Sequence, residues 1–281
     1  MKTTDVLIIG GSAAGMVAAV AGKSSWSDKS FTLVKKQKDV MVPCGIPYIF
    51  GTLDSSQLNI MPVDNMMAKA GVESLVDEVI AIDKQAKTAT LKEGGIIGYD
   101  KLVIATGSRP VLPKWLRGAD LDNVFVIPKD KTYLDDMKEK INGLKKVVVI
   151  GAGFIGVEFS DELIKSGHEV TLVEKESCIL YSAFDDEVAA RIGDILTVRG
   201  VKIITGNGIS EVTGSGKAEK VKLENGDTLE ADAVILSMGY RPNSELAADA
   251  GIFIDESGFI AVDEYMRTHD KDIFAIGDCA Q

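Results

Sequence analysis

The sequence predicts an α/β protein built from two parallel-sheet units on a common plan, the second set inside the first. Three observations predict it. Two glycine loops, Gly10–Gly15 and Gly151–Gly156, each follow a short apolar run and open a helical stretch. The candidate strands are unbroken apolar runs, the pattern of a sheet covered on both faces. A last apolar strand, Ile273–Ile276, ends in Gly277-Asp278 after the second pattern has finished, as expected of a chain that crosses back.

Each element has its own signal. Val6–Ile9 reads as a buried strand, Ser12 to about Lys23 as an alanine-rich helix, and Phe31–Val34 as a second strand. Together they make a βαβ unit of about thirty residues. The stretch from Val72 to Leu91 reads as strands with a hairpin, and Leu102–Ala105 as a buried strand ending in Thr106-Gly107. Pro110, Pro113 and Pro128 punctuate a connection, after which the plan restarts. Val147–Ile150 is a strand, Ile155 to Ser166 a helix, and Val170–Val173 a strand. Val201–Ile204, a hairpin turning at Asn225-Gly226, and Ala233–Leu236 complete the second unit. The repetition argues duplication of one mononucleotide-binding plan. Helices normally follow a strand that ends in a Gly-Asp turn, so the end of the chain three residues beyond Asp278 predicts a missing C-terminal portion.

Composition bounds the function. A chain of 281 residues, 46% hydrophobic and 26% charged, suits two soluble domains with separate cores. Its net charge of −11 repels phosphate backbones and argues against nucleic acid as a partner. No apolar run approaches the ~20 residues that span a bilayer. The N-terminus enters a strand at once, so no signal peptide and a cytoplasmic location are expected. Cys44, Cys178 and Cys279 have no metal-ligand spacing, and His168 and His269 are the only histidines. Neither a zinc site nor a histidine triad is expected.

The chemistry-bearing motifs are the loops and one thiol. In Gly151-Ala152-Gly153-Phe154-Ile155-Gly156 the first glycine permits the tight turn, the second lets a pyrophosphate approach the backbone, and the third lets helix pack on strand. The helix N-terminus offers free N–H groups and the positive end of its dipole. Glu174, at the end of the next strand, supplies a carboxylate that accepts from a ribose 2′-OH and repels a 2′-phosphate. This favours NADH over NADPH, with Lys175 beside it working the other way. In the first loop, Gly10-Gly11-Ser12-Ala13-Ala14-Gly15, Ser12 takes the place of the middle glycine. The acidic partner is missing there. Lys35 stands in its place and Lys36 follows, and a lysine cannot accept a hydrogen bond. The plainer reading makes Lys35, Lys36 and Lys38 a solvated basic run.

Cys44 lies in Met41-Val-Pro-Cys-Gly-Ile-Pro-Tyr48, at the expected N-terminus of a short helix with Pro47 near its first turn. Such a position stabilises a thiolate. Taken in isolation a cysteine is more often a small buried hydrophobe. No second cysteine occurs within five residues, so a vicinal disulfide relay is excluded and a single redox thiol remains.

Together these residues resemble the two-dinucleotide-binding flavoproteins of the pyridine nucleotide–disulfide oxidoreductase class. Five motifs occur in order over nearly the whole chain: the Gly10–Gly15 loop, Cys-Gly-Ile-Pro-Tyr at 44–48, Ala105-Thr106-Gly107, the Gly151–Gly156 loop and Gly277-Asp278. The closest branch is the single-cysteine group of coenzyme A-disulfide, persulfide and polysulfide reductases, NADH oxidases and NADH peroxidases. The Cys44 motif is more similar to the reductases. The resemblance implies two Rossmann-like dinucleotide-binding domains, an FAD domain of residues 1–115 and 243–281 with an NAD(H) domain of residues 116–242 inserted.

It further implies that Gly10, Gly11, Ser12, Ala13, Ala14 and Gly15 cradle the FAD pyrophosphate, with Lys35 and Lys36 at the ribose. Val79 would touch the adenine through its backbone. Ala105, Thr106 and Gly107 would close the FAD site, and Gly277 and Asp278 would hold the ribityl chain. On the NAD side it implies Gly151, Gly153, Phe154, Ile155, Gly156, Glu158, Glu174, Lys175, Met238 and Gly239. Cys44 would face the flavin and cycle between thiolate and mixed disulfide, persulfide or sulfenate.

The chain departs from the family at Lys35, where a glutamate is usual, and at Val40 and Met41, where a serine precedes the cysteine. Lys23 is the one cation of the first helix available to coenzyme A phosphates. The resemblance leads one to expect a C-terminal dimerisation domain that these 281 residues do not include, which puts the family's homodimer in question for this chain. The expected function is NADH-dependent, FAD-mediated reduction of a small-molecule disulfide, persulfide or polysulfide. An NADH oxidase or peroxidase on the same groups, and a nucleotide-binding module without catalysis of its own, remain open.

Overall fold

Branched apolar residues pack well on a pleated surface, and here they form the central strands of two sheets. The computed structural model describes all residues, Met1–Gln281. It divides into two compact units. Unit 1 holds Met1–Val42, Ile60–Arg109 and Arg241–Gln281; unit 2 holds Pro43–Asn59 and Pro110–Tyr240. No helix is long and apolar enough to cross a membrane.

In unit 1 the sheet runs Glu73–Val76, Phe31–Lys35, Lys2–Ile9, Ile96–Ile104, Thr88–Leu91, Val79–Asp83. The first four strands are parallel, and Ile273–Ala275 adds in parallel to the end of Ile96–Ile104. The last three strands form an antiparallel meander, the hairpin expected between 72 and 91. Alternation along the central strand divides the core. Ile8 joins Ala19, Leu33, Val63 and Met67 under helices α1 (Ala13–Ser25) and α2 (Val63–Ala70). Leu7 and Ile9 point the other way, into a cluster with Val34, Val79, Leu102 and Ala247.

In unit 2 a fully parallel sheet runs Val124–Val126, Ala233–Leu236, Lys146–Ile150, Glu169–Val173, Lys202–Ile204. A three-stranded antiparallel sheet, Ile209–Thr213, Lys220–Leu223 and Thr228–Glu230, shares a core with it through Val148, Ile150, Val221 and Leu236. Helices α3 (Lys131–Ile141), α4 (Phe154–Lys165) and α5 (Asp186–Val198) complete the unit. The chain is therefore α/β with two Rossmann-like units.

The sequence reading names neither α2, α3 nor α5. α2 has only eight residues, and α3 is rich in charge, its buried face reduced to Leu134, Met137 and Ile141. Two readings are corrected. Lys35 belongs to no solvated run, being 1% exposed. Cys44 does not start an α-helix. It lies within a 3-10 turn, Pro43–Gly45, followed by a second, Pro47–Phe50. Pro47 lacks the N–H that an α-helix from Pro43 would bond to Pro43 O, and the chain takes i→i+3 bonds from Ile46 N–H to Pro43 O and from Ile49 N–H to Ile46 O instead.

Among the carboxylates of unit 1, Asp5 and Asp272 are held well below the ordinary range. Hydrogen bonds from the Ser30 hydroxyl and N–H hold Asp5 down at about 2, and bonds from Lys101 and Lys87 do the same for Asp272. A depressed pKa contributes stability that is full above the ordinary value of 3.8 and lost as pH falls toward about 2. The Asp272→Asn variant should lose part of the drop in melting temperature between pH 4 and pH 2. An unchanged acid limb in thermal melts would remove Asp272 from that response.

Candidate functional site

The two glycine loops are superposable in their bonding. Gly10 N–H donates to Val34 O at 2.8 Å, and Gly151 N–H donates to Val173 O at 2.8 Å. Both glycines have positive φ, 115° and 95°. A Cβ at Gly15 would lie 1.9 Å from Gly10 O, and one at Gly156 would lie 1.9 Å from Gly151 O. Helix and strand thus approach closer than any side chain allows, and each helix start is held at the carboxyl end of its sheet, where such sheets bind ligands.

Those helix starts are chemically open. α3 and α5 are capped by Asp130 and Asp185, which accept from Tyr133 N–H and Val188 N–H. α1 and α4 have no side-chain cap and no acid in the first turn. A Cβ at Gly153 would meet nothing within 4 Å. Uncapped N–H groups and a helix dipole at both loops, with open space at Gly153 of the second, suit an anionic group such as a pyrophosphate.

Unit 1 assembles the other expected FAD residues around its loop. A Cβ at Gly10 would lie 2.0 Å from Ala105 O, and one at Gly277 would lie 2.8 Å from Ala14 Cβ. The Ala105–Gly107 turn and the Gly277-Asp278 turn therefore both abut the loop. Thr106 Oγ1 donates to Asn243 O at 2.6 Å, and Asn243 Nδ2 donates to Thr106 O at 3.0 Å. Ser108 Oγ donates to Asp278 Oδ2 at 2.8 Å. The sequence reading did not include Ser108 or Asn243. Both polar residues flank the returning motifs, the one signal available for them. Val79 lies in the core cluster with Ile9 and Val34.

The two strand-end residues take opposite roles. Glu174 turns back to its loop, accepting from Ala152 N–H at 2.6 Å and from Glu176 N–H at 3.0 Å. Lys175 is exposed beside it. Lys35 packs its stem on Gly11, whose added Cβ would lie 2.6 Å from Lys35 Cβ. Its ammonium donates to Lys38 O at 2.7 Å and pairs with Asp64 Oδ2 at 3.2 Å. Asp64 is held below the ordinary carboxylate range by the Ser74 hydroxyl first and by Lys35 next. Lys36 pairs with Glu78 at 2.7 Å. The Lys35 ammonium is thus occupied by the unit's own interior.

Along α4, Phe154 is exposed and meets Phe184 edge-on at 5.8 Å between ring centres. Phe184 also lies outside the sequence reading. Burial, and then the Glu162 carboxylate, push Glu158 above the ordinary glutamate range. Met238 packs against the core of unit 2, and Gly239 accepts Val111 N–H at 3.0 Å. Cys44 is an exposed free thiol in unit 2, apart from Cys178 of intermediate exposure.

Comparison with known proteins agrees with this geometry. The family model described as pyridine nucleotide-disulphide oxidoreductase matches residues 4–281. A Pyrococcus abyssi protein named NAD(P)H sulfur oxidoreductase (CoA-dependent) is 34% identical over 98% of this chain and 62% of its own. A Methanocaldococcus jannaschii protein named NADH oxidase is 33% identical over 98% of this chain and 63% of its own. An NAD-dependent persulfide reductase from A. fulgidus has a solved structure that aligns with a TM-score of 0.89 at 33% identity. The alignment covers 98% of this chain and 53% of that one. The chain spans less than two thirds of the length of each of these relatives.

Replacing Lys35 by Glu should damage the fold, because it puts a buried carboxylate against Asp64 and two carbonyls. A loss of about 3 kcal/mol or more is expected in denaturant unfolding. Wild-type stability with tighter FAD binding would return residue 35 to the ribose.

Proposed function

This chain belongs to the pyridine nucleotide-disulphide oxidoreductase family, and on that premise we propose that it serves NADH-dependent reduction of a small-molecule disulfide, persulfide or polysulfide through Cys44. The family implies FAD and NAD(P)H. The observation that carries the reading is the pair of uncapped helix starts over duplicated glycine loops in a chain with one exposed, unpartnered thiol.

Gly10–Gly15, Ala105–Gly107 and Gly277-Asp278 would hold FAD, and Gly151–Gly156 with Glu174 would hold the nicotinamide nucleotide. Bound FAD supplies hydride acceptance from reduced nicotinamide and a pair of electrons for sulfur. The chain's part is to bind, orient and provide the thiolate. Cys44 Sγ attacks one sulfur of the acceptor, the S–S bond breaks, and the first thiolate leaves. Two electrons then cleave the mixed disulfide, which restores Cys44 and releases the second thiolate. Glu174 favours NADH. Its carboxylate keeps lone pairs for ribose hydroxyls while bonded to the loop, and its charge opposes a 2′-phosphate.

Cys44→Ser should abolish NADH-dependent reduction of coenzyme A disulfide or polysulfide under anaerobic conditions. Bleaching of the flavin band by NADH should persist. Undiminished sulfur reduction would remove Cys44 from the mechanism, and NADH consumption that needs only air would favour an oxidase, the name carried by the Methanocaldococcus relative.

Glu174→Gln keeps the acceptor for Ala152 N–H but removes the charge. It should narrow the ratio of NADPH to NADH dissociation constants about tenfold, or about 1.4 kcal/mol. A ratio unchanged in fluorescence titrations would take Glu174 out of the discrimination.

A further inference from the structure

Besides the glycine loop at its start, α4 carries a second apparatus near its other end. Glu162 is 2% exposed, among the most buried carboxylates of the chain. A charge so placed is costly unless it is fully bonded. Its Oε2 accepts Thr52 N–H at 2.7 Å, and its Oε1 takes Lys165 Nζ at 2.6 Å. Lys165 also reaches Asp161 at 3.1 Å. Thr52 belongs to the Cys44 segment, 110 residues before Glu162 in sequence. The contact is tight: a Cβ at Gly51 would lie 2.6 Å from Glu162 Oε2 and 2.3 Å from Glu162 O.

Neighbouring groups bind the same stretch. Ser166 Oγ donates to Phe50 O, the rings of Phe50 and Phe159 lie 4.9 Å apart, and Lys138 Nζ donates to Leu53 O at 3.2 Å. Between this anchor and the thiol the chain is stiff. Ile49 N–H donates to Ile46 O and Ile46 N–H to Pro43 O, with Ile46, Ile49 and Phe50 all buried. Next to the thiol, a Cβ on Gly45 would lie 2.0 Å from Asn59 Oδ1. Cys44 thus stands exposed at the end of a short rod clamped to α4.

We propose that Glu162 is the positioning residue for Cys44, holding the thiol-bearing rod on the helix that opens the second nucleotide loop. The role rests on the reading of Cys44 as the redox thiol. Glu162 touches neither substrate nor cofactor in this scheme; it acts through Thr52 and the two 3-10 turns.

The test compares Glu162→Ala, Glu162→Gln and Ser166→Ala with wild type in the full chain supplied with FAD. Amide hydrogen exchange reads the rod directly. The alanine variant should speed exchange across residues 45–53, while the glutamine variant, which keeps an acceptor for Thr52 N–H, stays near wild type. Lys165 then turns to Asp161. Ser166→Ala leaves the buried carboxylate in place and should show a smaller increase in the same peptides.

In kinetics the alanine variant should reduce coenzyme A disulfide about tenfold more slowly with NADH-driven flavin bleaching unchanged, and the glutamine variant should restore the rate. Equal slowing of both steps in the alanine variant, or exchange over 45–53 that matches wild type, would overturn the proposal. An active Cys44→Ser enzyme would instead overturn the redox-thiol reading, and the exchange data would still decide whether Glu162 holds the rod.

Discussion

Everything else in each unit depends on one close approach, that of a helix to the strand before it. Where a Cβ at Gly156 would fall almost on Gly151 O, no side chain fits, and the same holds at Gly15 and Gly10. The approach fixes where the helix starts. The first N–H groups of α1 and α4 have no capping side chain, although Ser12 stands at the first N-cap and space is open at Gly153, the second. α3 and α5 are capped by aspartates in the ordinary way. The same close approach, and the same uncapped helix start, recur in both units.

The two units share the backbone arrangement of the glycine loop and differ at the strand-end residue. In unit 2 the carboxylate of Glu174 folds back to accept from the loop amide of Ala152 and from Glu176 N–H. In unit 1 the corresponding Lys35 was recruited inward. Its ammonium ties Lys38 O to α2 through Asp64, whereas the Glu174 carboxylate bonds to its own glycine loop. A lysine manages this because its long apolar stem can lie over Gly11 while its head reaches Lys38 O and the half-exposed Asp64 carboxylate.

The thiol segment shows how one helix serves two purposes. Residues 43–59 lie in sequence between stretches of unit 1, yet they pack within unit 2. Pro47 denies the segment a continuous α-helix, and two short 3-10 turns stand in its place. Stability comes from α4, through a buried carboxylate and the aromatic contact of Phe50 with Phe159.

The sequence by itself determined the α/β class, the order of strands and helices around both loops, and the glycines that make the close approach. These are local matters of side-chain volume, apolar periodicity and backbone freedom, and they are written in contiguous residues. Short or highly charged helices such as α2 and α3 escaped it, because their apolar faces are only two or three residues wide. Tertiary structure alone decided which polar groups meet. Lys35 looks solvated among Lys36 and Lys38 until Asp64, some thirty residues on, gives it a partner; Glu162 looks like one more surface acid until Thr52 closes over it. The energy of a buried charge depends on acceptors and donors that are distant in sequence, and only the folded chain brings them within hydrogen-bonding reach.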